Sequence, residues 1–157
     1  MNIVIRPYQE GDLEILRLIT IESFDGVSFD QIVESKFGLL NGHDWRWRKA
    51  RHVEDDVTAH AAGAFVAEAN EEIVGYITTV IDRAAGKARI PNLAITAQAR
   101  GQGLGRKLIQ HALDHLRREG VAYAMIETMA GNEVGEHLYP SCGFVEIGRQ
   151  IHFGIQL

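Results

Sequence analysis

Hydrophobic and polar positions change period along the chain, and each change predicts an element. Ile3 to Arg6 reads as a short strand that stops at Pro7, which has no N–H for a ladder. Asp12 can cap a helix running to about Phe24, with Ile15, Leu16 and Ile19 as its apolar stripe. Residues 25–62 mix polar and aromatic positions without a clean period, punctuated by Gly38 and Gly42, and predict one or two short surface helices. Residues 64–69 and 73–81 predict two strands joined by the polar turn Asn70-Glu71-Glu72. A third strand over 89–95 leads through a glycine-rich stretch to a helix over 104–119. There Leu104, Leu108, Ile109, Ala112, Leu113 and Leu116 occupy one half of the surface. Gly120 suits the left-handed residue that ends such a helix. Residues 122–128 predict a strand, and residues 132–139 a short helix closed by Pro140. Residues 144–157 predict two last strands, since Ile151, Phe153, Ile155 and Leu157 alternate. The order predicts an α/β domain on a mixed sheet.

The 157 residues, 46% of them hydrophobic, predict one domain over 1–157 with a sizeable core. A single cysteine excludes an internal disulfide framework and a multi-cysteine zinc site, and suggests a reducing compartment. Sixteen Lys+Arg against 21 Asp+Glu give a net charge of −5, which argues against a general nucleic-acid or membrane binder. With neither a leader-like nor a spanning apolar run, the expected location is the cytoplasm.

The placement of charge says more than its total. Arg100-Gly101-Gln102-Gly103-Leu104-Gly105-Arg106-Lys107 lies between a predicted strand and a predicted helix. Alternating glycines let several N–H groups converge, and the helix adds its positive end to Arg100, Arg106 and Lys107. On chemical grounds this is a phosphate-binding loop. It lacks the four-residue spacing and the Lys-Ser/Thr of the nucleotide P-loop. A dinucleotide fingerprint fails because Arg106 stands where the last glycine is required, although Glu127 sits where a ribose-binding acid would be.

The loop resembles the acyl-CoA loop of the GNAT superfamily of N-acetyltransferases, Arg/Gln-x-x-Gly-x-Gly/Ala, matched by Arg100, Gly103 and Gly105 after Leu93-Ala94-Ile95. The likeness continues through Asn132, the small Gly135 three residues on, Leu138-Tyr139 and Gly143-Phe144. Ile5-Arg6-Pro7 with Gly11-Asp12, and Val74-Gly75, are similar to that family too. Residues 64–147 carry the likeness; residues 25–62 hardly share it. The resemblance implies a mostly antiparallel, mixed sheet of six to seven strands flanked by about four helices, splayed at the acyl-CoA site. It implies acetyl-CoA as co-substrate and transfer of its acetyl group to a primary amine by direct attack. By the same likeness, Gly101, Gln102, Gly103, Leu104, Gly105 and Arg106 would receive the pyrophosphate. The backbone of Leu93, Ala94 and Ile95 would pair with the pantetheine arm, and Asn132 would contact it. Tyr139 would stand near the sulfur as general acid, being a phenol protonated at neutral pH.

The general base is open. Arg89 occupies the position at which some members carry a glutamate, and Glu22, Asp82, Glu127 or a water relay are the alternatives. This keeps a second reading in play, a catalytically inactive acyl-CoA-binding regulatory domain. Trp45 and Trp47, in a short basic–aromatic run, either shape the acceptor pocket or belong to an amphipathic surface helix. His111 and His115 fall at the edge of a helix stripe without a third ligand, so no metal is expected; Cys142 reads as a small buried thiol rather than a nucleophile. A homodimer paired through the C-terminal strands is physically reasonable.

Overall fold

The computed structural model describes residues 2–157. Strand β1 (Ile3–Pro7) leads through a 3-10 turn to helix α1 (Leu13–Ser23), followed by α2 (Phe29–Phe37) and α3 (Trp45–His60). Strands β2 (Phe65–Ala69), β3 (Glu72–Ile77), β4 (Val80–Asp82), β5 (Lys87–Ile90) and β6 (Leu93–Ile95) precede α4 (Leu104–Arg118). Strand β7 (Tyr123–Ile126) and helix α5 (Glu133–Ser141) complete the regular elements.

The strands form two sheets, β1-β2-β3-β6 and β4-β5-β7. All pairs are antiparallel except β5 with β7. Two strands read as continuous, 73–81 and 89–95, are each broken where the sheets meet. Pro91 denies the second a ladder N–H. Thr78 instead donates its amide to the Asn92 carbonyl at 2.9 Å, and the Asn92 amide donates to Thr78 Oγ1 at 3.2 Å. The β2–β3 turn has two residues, Asn70 and Glu71, both at positive φ (52° and 68°), as a primed hairpin turn requires.

The period of two in β2 divides the core. Phe65 and Ala67 face α4, packing with Leu104, Leu108, Ile109, Ala112 and Leu116. Val66 faces the other side, with Leu16 and Ile19 of α1, Val53 and Val57 of α3, Tyr76 and Ala94. Within that second layer the Tyr76 hydroxyl lies 2.6 Å from Thr20 Oγ1, which itself donates to the Leu16 carbonyl. Tyr76 therefore donates to Thr20, and burial pushes its phenol far above the ordinary range.

Four further expectations change. Helix α3 is a 16-residue element, not a short surface piece: Trp45, Ala50, Val53 and Val57 are buried in a stripe too narrow to stand out among charges. Asp12 does not cap α1. It accepts from Arg6 Nη1 and Nη2 at 2.8 and 3.0 Å and from the Gln9 amide at 2.7 Å, while Arg6 Nε donates to Glu68. Pro140 lies inside α5 rather than after it. Most conspicuously, residues 144–157 form neither of the two expected strands: beyond Phe144 they are exposed throughout. They have no neighbouring strand in the described residues, and alternation alone cannot supply one.

Candidate active site

Strands β5 and β7 run in parallel register to Ile90 and Ile126 and then part. Pro91 and Glu127 thus stand at the vertex of a fork. Beyond it, β6 pairs with β3 through Leu93↔Ile77, Ala94↔Tyr76 and Ile95↔Gly75. Its other edge has no strand partner among the described residues. An extended ligand can add to that edge by main-chain hydrogen bonds. Gly75 permits the β3–β6 approach, because a Cβ there would lie 2.9 Å from the Ala94 carbonyl.

At the far end of β6 the chain enters the glycine loop. Gly101 and Gly103 have φ of 73° and 75°, and a methyl on either would meet no heavy atom within 4 Å, so the loop is an open cradle. Gly103 is the N-cap of α4 and no side chain caps that helix among the described residues, leaving first-turn amides for an anion. The chemistry of the donor set therefore fits a pyrophosphate. Leu104 is buried in the core and Gly105 is where α4 meets α5, a Cβ there lying 3.1 Å from Leu138 Cδ2. Gln102 Nε2 donates to the Gln98 carbonyl at 3.2 Å. The cations are deployed differently. Arg106 donates to the Ser141 carbonyl and Oγ at 2.8 and 3.0 Å, tying α4 to the end of α5. Arg100 Nε donates to the Ile95 carbonyl at 3.1 Å, which also accepts from Ser23 Oγ.

Helix α5 carries Asn132 and Tyr139. The Asn132 Nδ2 donates to Thr128 Oγ1 at 3.0 Å instead of capping the helix. Tyr139 is half-buried with its ring edge-on to Phe144, 6.2 Å between centroids, and burial first, then Cys142, pushes its phenol above the usual value. Cys142 is itself half-buried against the α4 core.

The three carboxylates named as bases separate. Glu127 is at the fork vertex and exposed. Glu22 is also exposed, but its Oε1 accepts from the Ala97 amide at 3.1 Å, beyond the glycine-loop end of β6. Asp82 pairs across from Lys87, at the end of β5 remote from the fork, and its Oδ1 accepts from the Ala85 amide. Trp45 is buried at 4% exposure and lines a cavity of about 560 Å³ with Ser28, Gln31 and Glu34. Trp47 is 43% exposed, stacked 3.6 Å from His43 with Arg51 against its ring.

One cluster escaped the sequence reading. Asp56 of α3 accepts from Asn92 Nδ2 at 2.6 Å and from Thr78 Oγ1 at 2.8 Å, and Lys49 Nζ donates to Asn92 Oδ1 at 3.2 Å. Burial raises the Asp56 carboxyl and lowers the Lys49 ammonium. These groups pin the strand break beside the fork and border a cavity of about 310 Å³ lined by His52, Asp55, Asp56, Arg89, Pro91 and Asn92. Nothing in the local pattern of α3 marks Asp56 apart from its neighbours Glu54 and Asp55.

The family model described as "Acetyltransferase (GNAT) family" matches residues 28–144. The [Ribosomal protein bS18]-alanine N-acetyltransferase of Escherichia coli K12 is 40% identical over 60 residues, 38% of this chain and 40% of that protein. Mycothiol acetyltransferase of Streptomyces avermitilis is 32% identical over 107 residues, 68% of this chain and 33% of that one. The chain thus matches well under half the length of either relative. Among solved structures, the PaiA N-acetyltransferase of Thermoplasma acidophilum with coenzyme A has a TM-score of 0.70 at 20% identity, covering 90% of this chain and 88% of its own. That likeness supports the fold, and the family match spans the fork, the glycine loop and α5 together. The chain belongs to the acetyltransferase (GNAT) family.

Proposed function

We propose that this protein is an acetyl-CoA-dependent N-acetyltransferase that moves an acetyl group to a primary amine by direct attack. The observation that carries the reading is the contiguity of an open β6 edge with an uncapped helix N-terminus across the glycine cradle. The amides of residues 101–106 hold the pyrophosphate, aided by the free guanidinium nitrogens of Arg100, while Leu93–Ile95 align the pantetheine arm and Asn132 steadies it. Acetyl-CoA supplies the acetyl thioester. The fork holds amine and thioester together, which supplies much of the rate enhancement.

Glu127, at the vertex, accepts the proton that the ammonium must lose before attack, and its exposure lets that proton pass to solvent. As the new C–N bond forms and the C–S bond breaks, Tyr139 donates its proton to the departing sulfur, and the second proton that the nitrogen sheds on becoming an amide restores the phenol. Its raised pKa keeps the phenol protonated for this task. The amine enters beside Pro91 and Asn92, where Asp55 and Asp56 attract a cation. Relatives named for acetylating a ribosomal-protein alanine or mycothiol accord with an amine acceptor.

The test is a panel of amines incubated with acetyl-CoA, with free thiol as the readout. Amine-dependent thiol release that falls strongly in Glu127→Gln and Tyr139→Phe supports the reading. Tight acetyl-CoA binding with no turnover on any amine favours instead the regulatory acyl-CoA-binding domain, which Arg89 at the usual glutamate position also suits.

A further inference from the structure

Arg89 has no task in acetyl transfer itself. It stands on β5 in register with Val80 of β4 and Met125 of β7. Its neighbours Ala88 and Ile90 are buried in the α4 core, so the period of two turns Arg89 to the opposite face, toward α3. The same period puts Met125 and then Glu127 on that face of β7. Strand spacing and two residues of rise set Arg89 and Glu127 roughly 8 Å apart at their Cα atoms. Opposite charges line the cavity here, Arg89 from the strand side and Asp55 and Asp56 from α3. Among the described residues Arg89 nevertheless makes no ion pair and no side-chain hydrogen bond. Asp56 is held back from it. Both side-chain hydrogen bonds that Asp56 accepts, from Thr78 Oγ1 and Asn92 Nδ2, end on Oδ2, and Lys49 holds the far side of Asn92. Its Oδ1 has no donor among the described residues. The gap is short enough for Arg89 to oppose the rise that burial gives the Asp56 carboxyl. The cavity thus keeps a guanidinium and a carboxylate oxygen apart, each without a partner.

We propose that the acceptor is a small zwitterion, an amine of amino-acid size that carries a carboxylate or phosphate a few atoms from its nitrogen. This rests on the acetyltransferase reading and narrows its substrate class. The anion lies on Arg89, whose planar fork grips either oxyanion through paired hydrogen bonds. The ammonium lies against Asp56 Oδ1 beside Asn92, next to the vertex where Glu127 takes its proton. Order along β5 sets the orientation: Arg89 comes two residues before Pro91, so an anion held there leaves the nitrogen at the fork. The cavity, about 310 Å³, is at the low end of the roughly 300–1,000 Å³ of ligand pockets and suits a molecule of this size. Arg89 does not serve the pyrophosphate, because the glycine cradle follows the far end of β6, beyond Ile95. An amine with no anion would leave the guanidinium unpaired, and a diamine would bring a second cation against it.

The probes are the common amino acids, β-alanine and 2-aminoethyl phosphate, each carboxylate matched by its primary amide, with ethylenediamine as the cationic control. Thiol release from acetyl-CoA is expected with at least one zwitterion, at a kcat/KM about tenfold or more above that of its amide or the diamine. Whether that acceptor is a carboxylate or the phosphate identifies the anion. Arg89→Gln, at an exposed position, is expected to raise the zwitterion's KM about tenfold or more, the loss of a charge-assisted hydrogen bond, with KM for acetyl-CoA and Tm unchanged. Arg89→Lys is expected to recover part of it. Equal use of amides and diamine, an equal effect of Arg89→Gln on every amine, or a rise in acetyl-CoA KM instead overturns the inference while acetyl transfer stands. If no amine releases thiol, the acetyltransferase reading fails, and binding then decides the zwitterion site separately. Titration calorimetry of the same probes into protein saturated with coenzyme A is expected to find a zwitterion that binds about tenfold more weakly to Arg89→Gln. Absence of such binding overturns the inference.

Discussion

Gly135→Ala tests how α5 is held, and hence how Asn132 and Tyr139 are placed. Position 135 is buried against Thr128: an added Cβ would lie 2.5 Å from Thr128 Oγ1, 2.9 Å from its Cβ and 3.2 Å from its Cγ2. Such contacts force the helix outward, and overpacking of this kind costs about 1–3 kcal/mol. The same movement strains the Asn132–Thr128 hydrogen bond, worth about 1 kcal/mol. Against this, alanine is the better helix former by about 1 kcal/mol. The net is a destabilisation of about 1–3 kcal/mol, or a Tm lower by roughly 2–12 °C at about 2–4 °C per kcal/mol for a chain of this size. Calorimetry on the wild type, Gly135→Ala, Thr128→Ala and the double variant forms a cycle. Thr128→Ala removes Oγ1 and Cγ2 but not Cβ, so the double variant is expected to recover part of the loss beyond additivity. A Tm for Gly135→Ala at or above that of the wild type, or strict additivity, would refute the packing argument.

Other consequences are equally direct. Tyr139→Phe keeps the ring packed on Phe144 and removes only the hydroxyl proposed as the proton donor, so kcat is expected to fall about 100-fold with little change in acetyl-CoA KM or Tm; steady-state kinetics and a melt check both. Gly103→Ala places a side chain at φ 75°, a strain of about 1–2 kcal/mol at the cradle. Coenzyme A binding by titration calorimetry is expected to weaken at least tenfold, and unchanged affinity would count against the cradle. Burial raises the folded-state pKa of Asp56, so the folded protein holds that proton more tightly than the unfolded chain does. The resulting penalty is absent below the unfolded pKa, near 3.9, grows as pH rises above it and is complete above the folded pKa. Asp56→Asn, which can keep both hydrogen bonds, is therefore expected to raise Tm at pH 8 and to leave it unchanged near pH 3; a gain of equal size at both would sink the assignment.

Local chemistry carried much of this protein in its sequence. The α4 stripe, the Asn70-Glu71 turn and the glycine loop depend on period, turn residues and backbone freedom, which neighbouring residues set among themselves. The motif positions Asn132, Gly135 and Tyr139 were legible as a spacing, but the reason for the small residue at 135 was not. That reason is Thr128, seven residues earlier and on the far side of a turn. Tertiary structure decided what depends on distant partners. Pro91 and the Thr78–Asn92 exchange broke two strands and opened the fork, setting Glu127 at its vertex and Asp82 at the remote end. Asp56 took its place from Thr78 and Asn92, 22 and 36 residues away, which no local window contains. The alternation of residues 151–157 is a strand's alternation, yet a strand exists only against a neighbour, and this one has none among the described residues.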